Sequence, residues 1–85
     1  MNIEIYGKES CPFCDKAKNL ASRVKASNPT ITYEYHDIQK KGITKEVLSE
    51  MVGQEVTTVP QIFVGGEYVG GYSEFSKYVI DNYLL

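Results

Sequence analysis

Two thiols stand one helical turn apart in Cys11-Pro12-Phe13-Cys14, and they are the only cysteines in the chain. A pair at this spacing can close a small disulfide ring and reopen it, which is redox chemistry more often than structural chemistry. The competing readings are an inert buried pair and a metal site. Structural zinc normally takes four protein ligands. Beyond the pair, the chain offers only one histidine, His36, on a distant segment. No metal is therefore expected, and the pair reads as a redox device.

The flanking pattern says how the thiols are held. Residues 2–6, with Ile3, Ile5 and Tyr6, read as a short strand ending near Gly7. Helical periodicity follows over residues 13–25: Ala17, Leu20, Ala21 and Val24 keep 3/4 spacing, while Lys16, Lys18, Asn19, Arg23 and Lys25 fall mostly elsewhere. Cys11 thus sits at a helix entrance with Pro12 at the first helical position, where a missing N–H costs nothing. A thiolate there accepts orphan backbone N–H groups and feels the positive end of the helix dipole. Lys8, with Lys16 or Lys18, adds positive charge. These effects predict a Cys11 pKa below that of an ordinary thiol. Cys14 shares the inward face of Ala17 and Ala21. Cys11 is therefore expected to be the exposed nucleophile and Cys14 the shielded resolving thiol.

The remaining elements complete a small fold. Asn28-Pro29 stops the first helix. Ile31, Tyr33 and Tyr35 alternate with Thr32, Glu34 and His36 as a second strand. Ile43, Val47, Leu48 and Met51 mark a second helix closed by Gly53. Residues 61–64 and 68–69 are a third and fourth strand, with Gly65-Gly66 as a tight hairpin turn between them. Gly70-Gly71 ends the sheet, and Phe75, Val79 and Tyr83 step along a last helix. The order β-α-β-α-β-β-α implies an α/β fold, with the first two strands parallel and the last two antiparallel. The expected architecture is thioredoxin-like: a four-stranded mixed sheet flanked by three helices, in one domain spanning residues 1–85.

Composition narrows the function. A net charge of −2 leaves no basic footprint for nucleic acid. No apolar run approaches the ~20 residues of a membrane span, and no signal-peptide pattern opens the chain. A reducing cytoplasm is the expected setting, where permanent disulfides are rare.

Thr58-Val59-Pro60 runs directly into the third strand. Proline lacks a ladder donor, so the plain reading is a strand-initiating residue. Paired with an upstream Cys-x-x-Cys, the sharper reading is a cis Val59-Pro60 bond. Val59 would then offer its N–H and C=O to an extended peptide, in the manner of strand addition. His36 with Asp37 reads as a strand-end histidine rather than a partner for a cysteine. Most of the tyrosines are expected to be half-buried with a wet hydroxyl. Lys40-Lys41 reads as solvated turn charge, and Ile62-Phe63-Val64 as a buried strand.

Over nearly its whole length the chain resembles the dithiol glutaredoxins of the small bacterial and phage type. The matching stretches are Cys11-Pro12-Phe13-Cys14, Gly42-Ile43-Thr44-Lys45-Glu46, Thr58-Val59-Pro60-Gln61-Ile62-Phe63-Val64 and Gly70-Gly71-Tyr72-Ser73-Glu74. The resemblance implies a nucleophile at Cys11 and a resolving thiol at Cys14. It also implies glutathione as reducing co-substrate, lying in a groove over the active-site helix, with no permanently bound cofactor. By the same resemblance Lys8, Pro12 and Phe13 border that groove, Val59 pairs with the ligand backbone, and Thr58 and Pro60 shape it. Gly71, Tyr72, Ser73 and Glu74 hold the γ-glutamyl end. Ser73 is expected to cap the last helix, whose N–H groups suit a carboxylate. Glu74 is expected to face the γ-glutamyl ammonium and Lys8 the glycine carboxylate. The family pattern more often has Tyr where Phe13 stands, and Thr and Asp where Ser73 and Glu74 stand.

The implied activity is glutathione-dependent reduction of protein disulfides and of glutathionylated proteins by a monomer, with ribonucleotide reductase as one recipient of electrons. Two other readings carry less. A thioredoxin served by a flavoprotein reductase usually has a tryptophan before the cysteines, and this chain has none. A carrier bridging a [2Fe–2S] cluster between subunits usually has Gly or Ser where Pro12 stands. Alkylation of the reduced protein near about pH 6 is expected to modify Cys11 before Cys14; preferential labelling of Cys14 would reject the assignment.

Overall fold

The computed structural model describes residues 1–85. Its elements run β1 (Asn2–Gly7), α1 (Pro12–Ser27), β2 (Thr32–Asp37), α2 (Lys45–Val52), β3 (Gln61–Val64), β4 (Glu67–Gly70) and α3 (Tyr72–Asp81). The strands form one sheet in the order β2-β1-β3-β4. β1 is parallel to β2 and antiparallel to β3, and β3 and β4 make an antiparallel hairpin. Gly65 and Gly66 form its turn with φ of 59° and 82°, the left-handed pair that a two-residue primed turn requires. The expected order and mixed sheet are both present.

Alternation along the central strands splits the sheet into two unequal faces. Ile3 and Ile5 of β1, with Ile62 and Val64 of β3, meet Ala17, Leu20, Ala21 and Val24 of α1 and Phe75 and Val79 of α3. The other face carries Tyr6 and the half-buried Phe63, packed with Ile38, Leu48 and Val56 in a smaller cluster. At about 1.5–3 kcal/mol for each large apolar side chain buried, the first face dominates stability. The second is a thin layer.

Two elements depart from expectation for that reason. α2 starts where Thr44 Oγ1 accepts the Val47 N–H at 3.1 Å, and it stops at Gly53 with φ 87°. Only Leu48 on it is fully buried, while Val47 and Met51 stay 43% and 42% exposed. The helix is eight residues long and lies over a small cluster, so its apolar face outreaches what it can cover. At the C-terminus α3 ends at Asp81, and Tyr83 lies beyond it at φ 54° and 90% exposed. The chain reverses there: the Leu84 N–H donates to the Val79 carbonyl at 3.0 Å, and Leu84 packs on the core in place of Tyr83.

Gly7 ends β1 at a tight crossing. A Cβ there would stand 2.5 Å from Tyr35 Oη and 2.9 Å from Cys14 Sγ. Only glycine allows the β2 tyrosine and the α1 cysteine to close over this strand end. Gly7→Ala is expected to cost about 1–3 kcal/mol through overpacking, read as a lower urea midpoint with the same slope. Burial also pushes the hydroxyls of Tyr6, Tyr33, Tyr35 and Tyr68 above their ordinary pKa. The neutral phenol is then favoured in the folded state, and the unfolded chain ionises first. This stability is complete below about pH 10 and is lost as pH rises through the folded values. Urea unfolding of the oxidised protein from about pH 8 to pH 11 is expected to show a falling midpoint across the upper part of that range.

Candidate functional site

Cys11 is the N-cap of α1, in extended backbone, and Pro12 follows at the first helical position. Its Sγ accepts the Cys14 N–H at 3.3 Å. The two sulfurs are joined as a disulfide, with Cα atoms 5.1 Å apart. Cys14 is 0% exposed and Cys11 8%. Both cysteines are buried, so Cys11 is not the exposed thiol expected from the sequence. It is bonded to Cys14, and the Val59 carbonyl oxygen lies 3.8 Å from its Sγ. Cys11 lines a hollow together with Lys8, Pro12, Thr58 and Val59.

The Val59–Pro60 bond is cis. Pro60 is buried at the start of β3, and Val59 is half-buried. Two adjoining hollows share Thr58 and Val59. One, of about 280 Å³, is lined by Phe13, Thr58, Val59, Pro60, Gly71, Tyr72, Ser73 and Glu74. The other, of about 340 Å³, is lined by Lys8, Ser10, Cys11, Pro12, Ile38, Lys45, Thr57, Thr58 and Val59. Together they make a groove across the start of α1; Cys11 and every residue expected to contact glutathione border it, while the fully buried Cys14 does not. A larger hollow of about 590 Å³ lies beside α2, but no thiol lines it.

Several details differ from the sequence reading. Ser73 does not cap α3. Gly71 is the N-cap, and Glu74 Oε1 accepts the Gly71 N–H at 2.8 Å. A glutamate at the third helical position reaches back to the cap N–H, whereas Ser73, one position earlier, stays exposed. Lys16 and Lys18 are not simply charges beside Cys11. Lys16 Nζ lies 5.1 Å from the Phe13 ring centre and 6.0 Å from that of Tyr72, and Lys18 Nζ lies 4.4 Å from the Tyr35 ring centre. The Phe13 and Tyr72 rings stand 6.3 Å apart. Phe13, Tyr72 and Lys16 thus form one rim, a cation set against two aromatic faces.

Sequence reading missed Ser10, Ile38, Lys45 and Thr57 on the groove wall. Lys45 had a visible signal, as a cation just inside a helix capped by Thr44. The others arrive from loops whose course depends on the sheet. His36 stacks on Tyr6 with ring centres 4.5 Å apart, its Nε2 3.2 Å from Glu4 Oε1 and its Nδ1 2.6 Å from Lys41 Nζ. None of these residues lines the groove, so His36 is no partner for Cys11. Lys41 is held by this contact instead of being free turn charge, while Lys40 makes only an exposed pair with Glu9 at 3.5 Å.

Comparison with known proteins agrees. A glutaredoxin family model matches residues 3–69. The chain is 43% identical to Glutaredoxin 1 of Escherichia coli over 82 residues, covering 96% of each chain. It is 47% identical to a glutaredoxin of Haemophilus influenzae over 75 residues, covering 88% of this chain and 86% of that one. The solved structure of reduced E. coli glutaredoxin superposes with a TM-score of 0.90 at 42% identity, covering 98% of both chains. Sequence, family model and fold converge at near-complete coverage, and the chain belongs to the glutaredoxin family of thiol–disulfide oxidoreductases.

Proposed function

We propose that the groove seats glutathione, that Cys11 is the nucleophile and that Cys14 is the resolving thiol. The observation that carries this reading is the junction at Val59. Its carbonyl lies beside Cys11 Sγ, and its N–H has no acceptor within the chain. An extended peptide bound there, its sulfur toward Cys11, would complete that open backbone position. At one end of the groove Lys8 and Lys45 supply positive charge for a carboxylate. At the other, the first N–H groups of α3 suit the γ-glutamyl carboxylate. Glu74 uses one oxygen on Gly71 and leaves the second for the γ-glutamyl ammonium. Phe13, Thr58, Pro60 and Tyr72 wall the channel between.

The chemistry follows from the N-cap. In the reduced protein a Cys11 thiolate keeps the Cys14 N–H as a donor and sits at the positive end of the helix dipole. It attacks the glutathionyl sulfur of a mixed disulfide. A Cys11–glutathione disulfide forms, and the substrate sulfur leaves as a thiolate that takes a proton. A second glutathione, as thiolate, attacks the glutathione sulfur of that bond. Oxidised glutathione leaves and the Cys11 thiolate returns. With a protein disulfide, Cys11 first forms a mixed disulfide with the protein. Cys14 then attacks Cys11 Sγ, releasing the reduced protein and leaving the Cys11–Cys14 bond. Two glutathiones reopen it.

The setting that fits is the cytoplasm, with a monomer acting on disulfide-containing or glutathionylated proteins, ribonucleotide reductase among them. Neither nucleic acid nor membrane has a place in this scheme, and no resident cofactor is needed. No helix is long and apolar enough to cross a membrane. The test is turnover of a glutathione mixed disulfide with glutathione and its reductase. Cys14→Ser is expected to retain it and to lose reduction of protein disulfides. Cys11→Ser is expected to lose both, and full activity in that variant would reject the scheme.

A further inference from the structure

Gln61 is the one buried polar residue of the chain, 4% exposed. Burying an amide is costly unless its hydrogen bonds are made, and here both ends are used. Gln61 Oε1 accepts the Tyr68 hydroxyl, and Gln61 Nε2 donates to the Thr58 carbonyl at 2.8 Å. Gln61 starts β3 opposite Tyr6, and Tyr68 stands opposite Phe63. The amide is therefore anchored in the sheet, while the carbonyl it holds belongs to the groove wall.

That carbonyl shares a peptide unit with the Val59 N–H. The Thr58–Val59 bond is trans, since the cis bond is the next one. In a planar trans unit the C=O and N–H point in opposite directions. Drawing the Thr58 oxygen inward onto Gln61 necessarily turns the Val59 N–H away from Gln61. That N–H is the donor left without an acceptor in the chain.

We propose that Gln61, held by Tyr68, is a positioning residue that aims the Val59 N–H at the backbone of the bound glutathionyl group. The inference rests on the reading of the groove as the glutathione seat. Gln61 itself touches neither the ligand nor a sulfur. Its effect should fall on recognition of a peptide backbone, not on the reactivity of Cys11.

The test uses the mixed disulfide of glutathione and 2-mercaptoethanol as substrate. Gln61→Met, of similar length without donor or acceptor, is expected to raise KM about tenfold, the worth of one hydrogen bond, with kcat changed far less. Gln61→Glu keeps an acceptor for Tyr68 but sets an oxygen against the Thr58 carbonyl, and is expected to raise KM at least as much. Tyr68→Phe leaves the Thr58 bond and frees the amide to turn, with a smaller rise. Alkylation of reduced Cys11 by iodoacetamide, which needs no backbone donor, is expected to keep its wild-type rate in all three. In amide spectra the Val59 signal is expected to shift with S-methylglutathione in the wild type and much less in Gln61→Met. Wild-type KM in the Gln61 variants overturns the proposal, as does a loss of kcat and alkylation rate in step with KM. If those variants fail to fold, an unchanged KM in Tyr68→Phe overturns it. Absence of turnover by the wild-type protein would instead sink the reading of the groove.

Discussion

Cys11 Sγ occupies the place where α1 lacks an acceptor for its first N–H groups, and it takes the Cys14 N–H at 3.3 Å. A helix start leaves such donors open, and they carry the positive end of the helix dipole. Sulfur is a weak acceptor when neutral and a strong one as thiolate. The same contact is thus modest in the oxidised protein and favourable in the reduced one. Most of what surrounds it serves to hold this one atom. Pro12 opens the helix without wasting an N–H, and Ala17, Ala21 and Val24 fasten it to the sheet. Gly7 lets the strand end approach Cys14 without a side chain between.

The uneven sheet explains where the groove lies. One face is sealed by α1 and α3 over the main core. The other is covered only by α2 and a small cluster that includes Tyr6 and Leu48. The groove opens where the N-termini of α1 and α3 meet the segment entering β3, so it borders the larger core on one side and the smaller cluster on the other. The Val59 carbonyl, the Cys11 sulfur and the start of α3 are brought to one line by three separate connections in the chain. Gln61 ties that line back into the sheet through a hydrogen bond to the Thr58 carbonyl.

Patterned elements were legible because their signals are local. The Cys pair, Pro12 and the helical spacing behind them describe one continuous segment, and the helix begins where they say. Gly65-Gly66 names its own turn. The misreadings share a cause in packing. Val47 and Met51 have helical spacing, but the face they point to is too small to bury them. Tyr83 keeps the step of Phe75 and Val79, yet the chain turns so that Leu84 reaches the core. At the start of α3, Ser73 and Glu74 both suit a helix N-terminus. Which one caps depends on where the helix begins, and that is settled by the left-handed Gly70 and the extended Gly71 after β4.

By itself the sequence determined the redox pair and the order of elements. Each depends on neighbours within a few residues or on a period of two or 3.6. Only the tertiary structure decided how far Cys11 is covered, that Gly71 is the N-cap of α3 with Glu74 rather than Ser73 bonded to its N–H, that Lys16 joins Phe13 and Tyr72, and that Gln61 holds the Thr58 carbonyl. The Cys11–Val59 and Lys16–Tyr72 approaches join atoms far apart in the chain, while the Glu74–Gly71 and Gln61–Thr58 bonds each span three residues whose backbone course the sheet sets. Burial, hydrogen bonding and charge act through space, so a linear pattern limits them but does not choose among them.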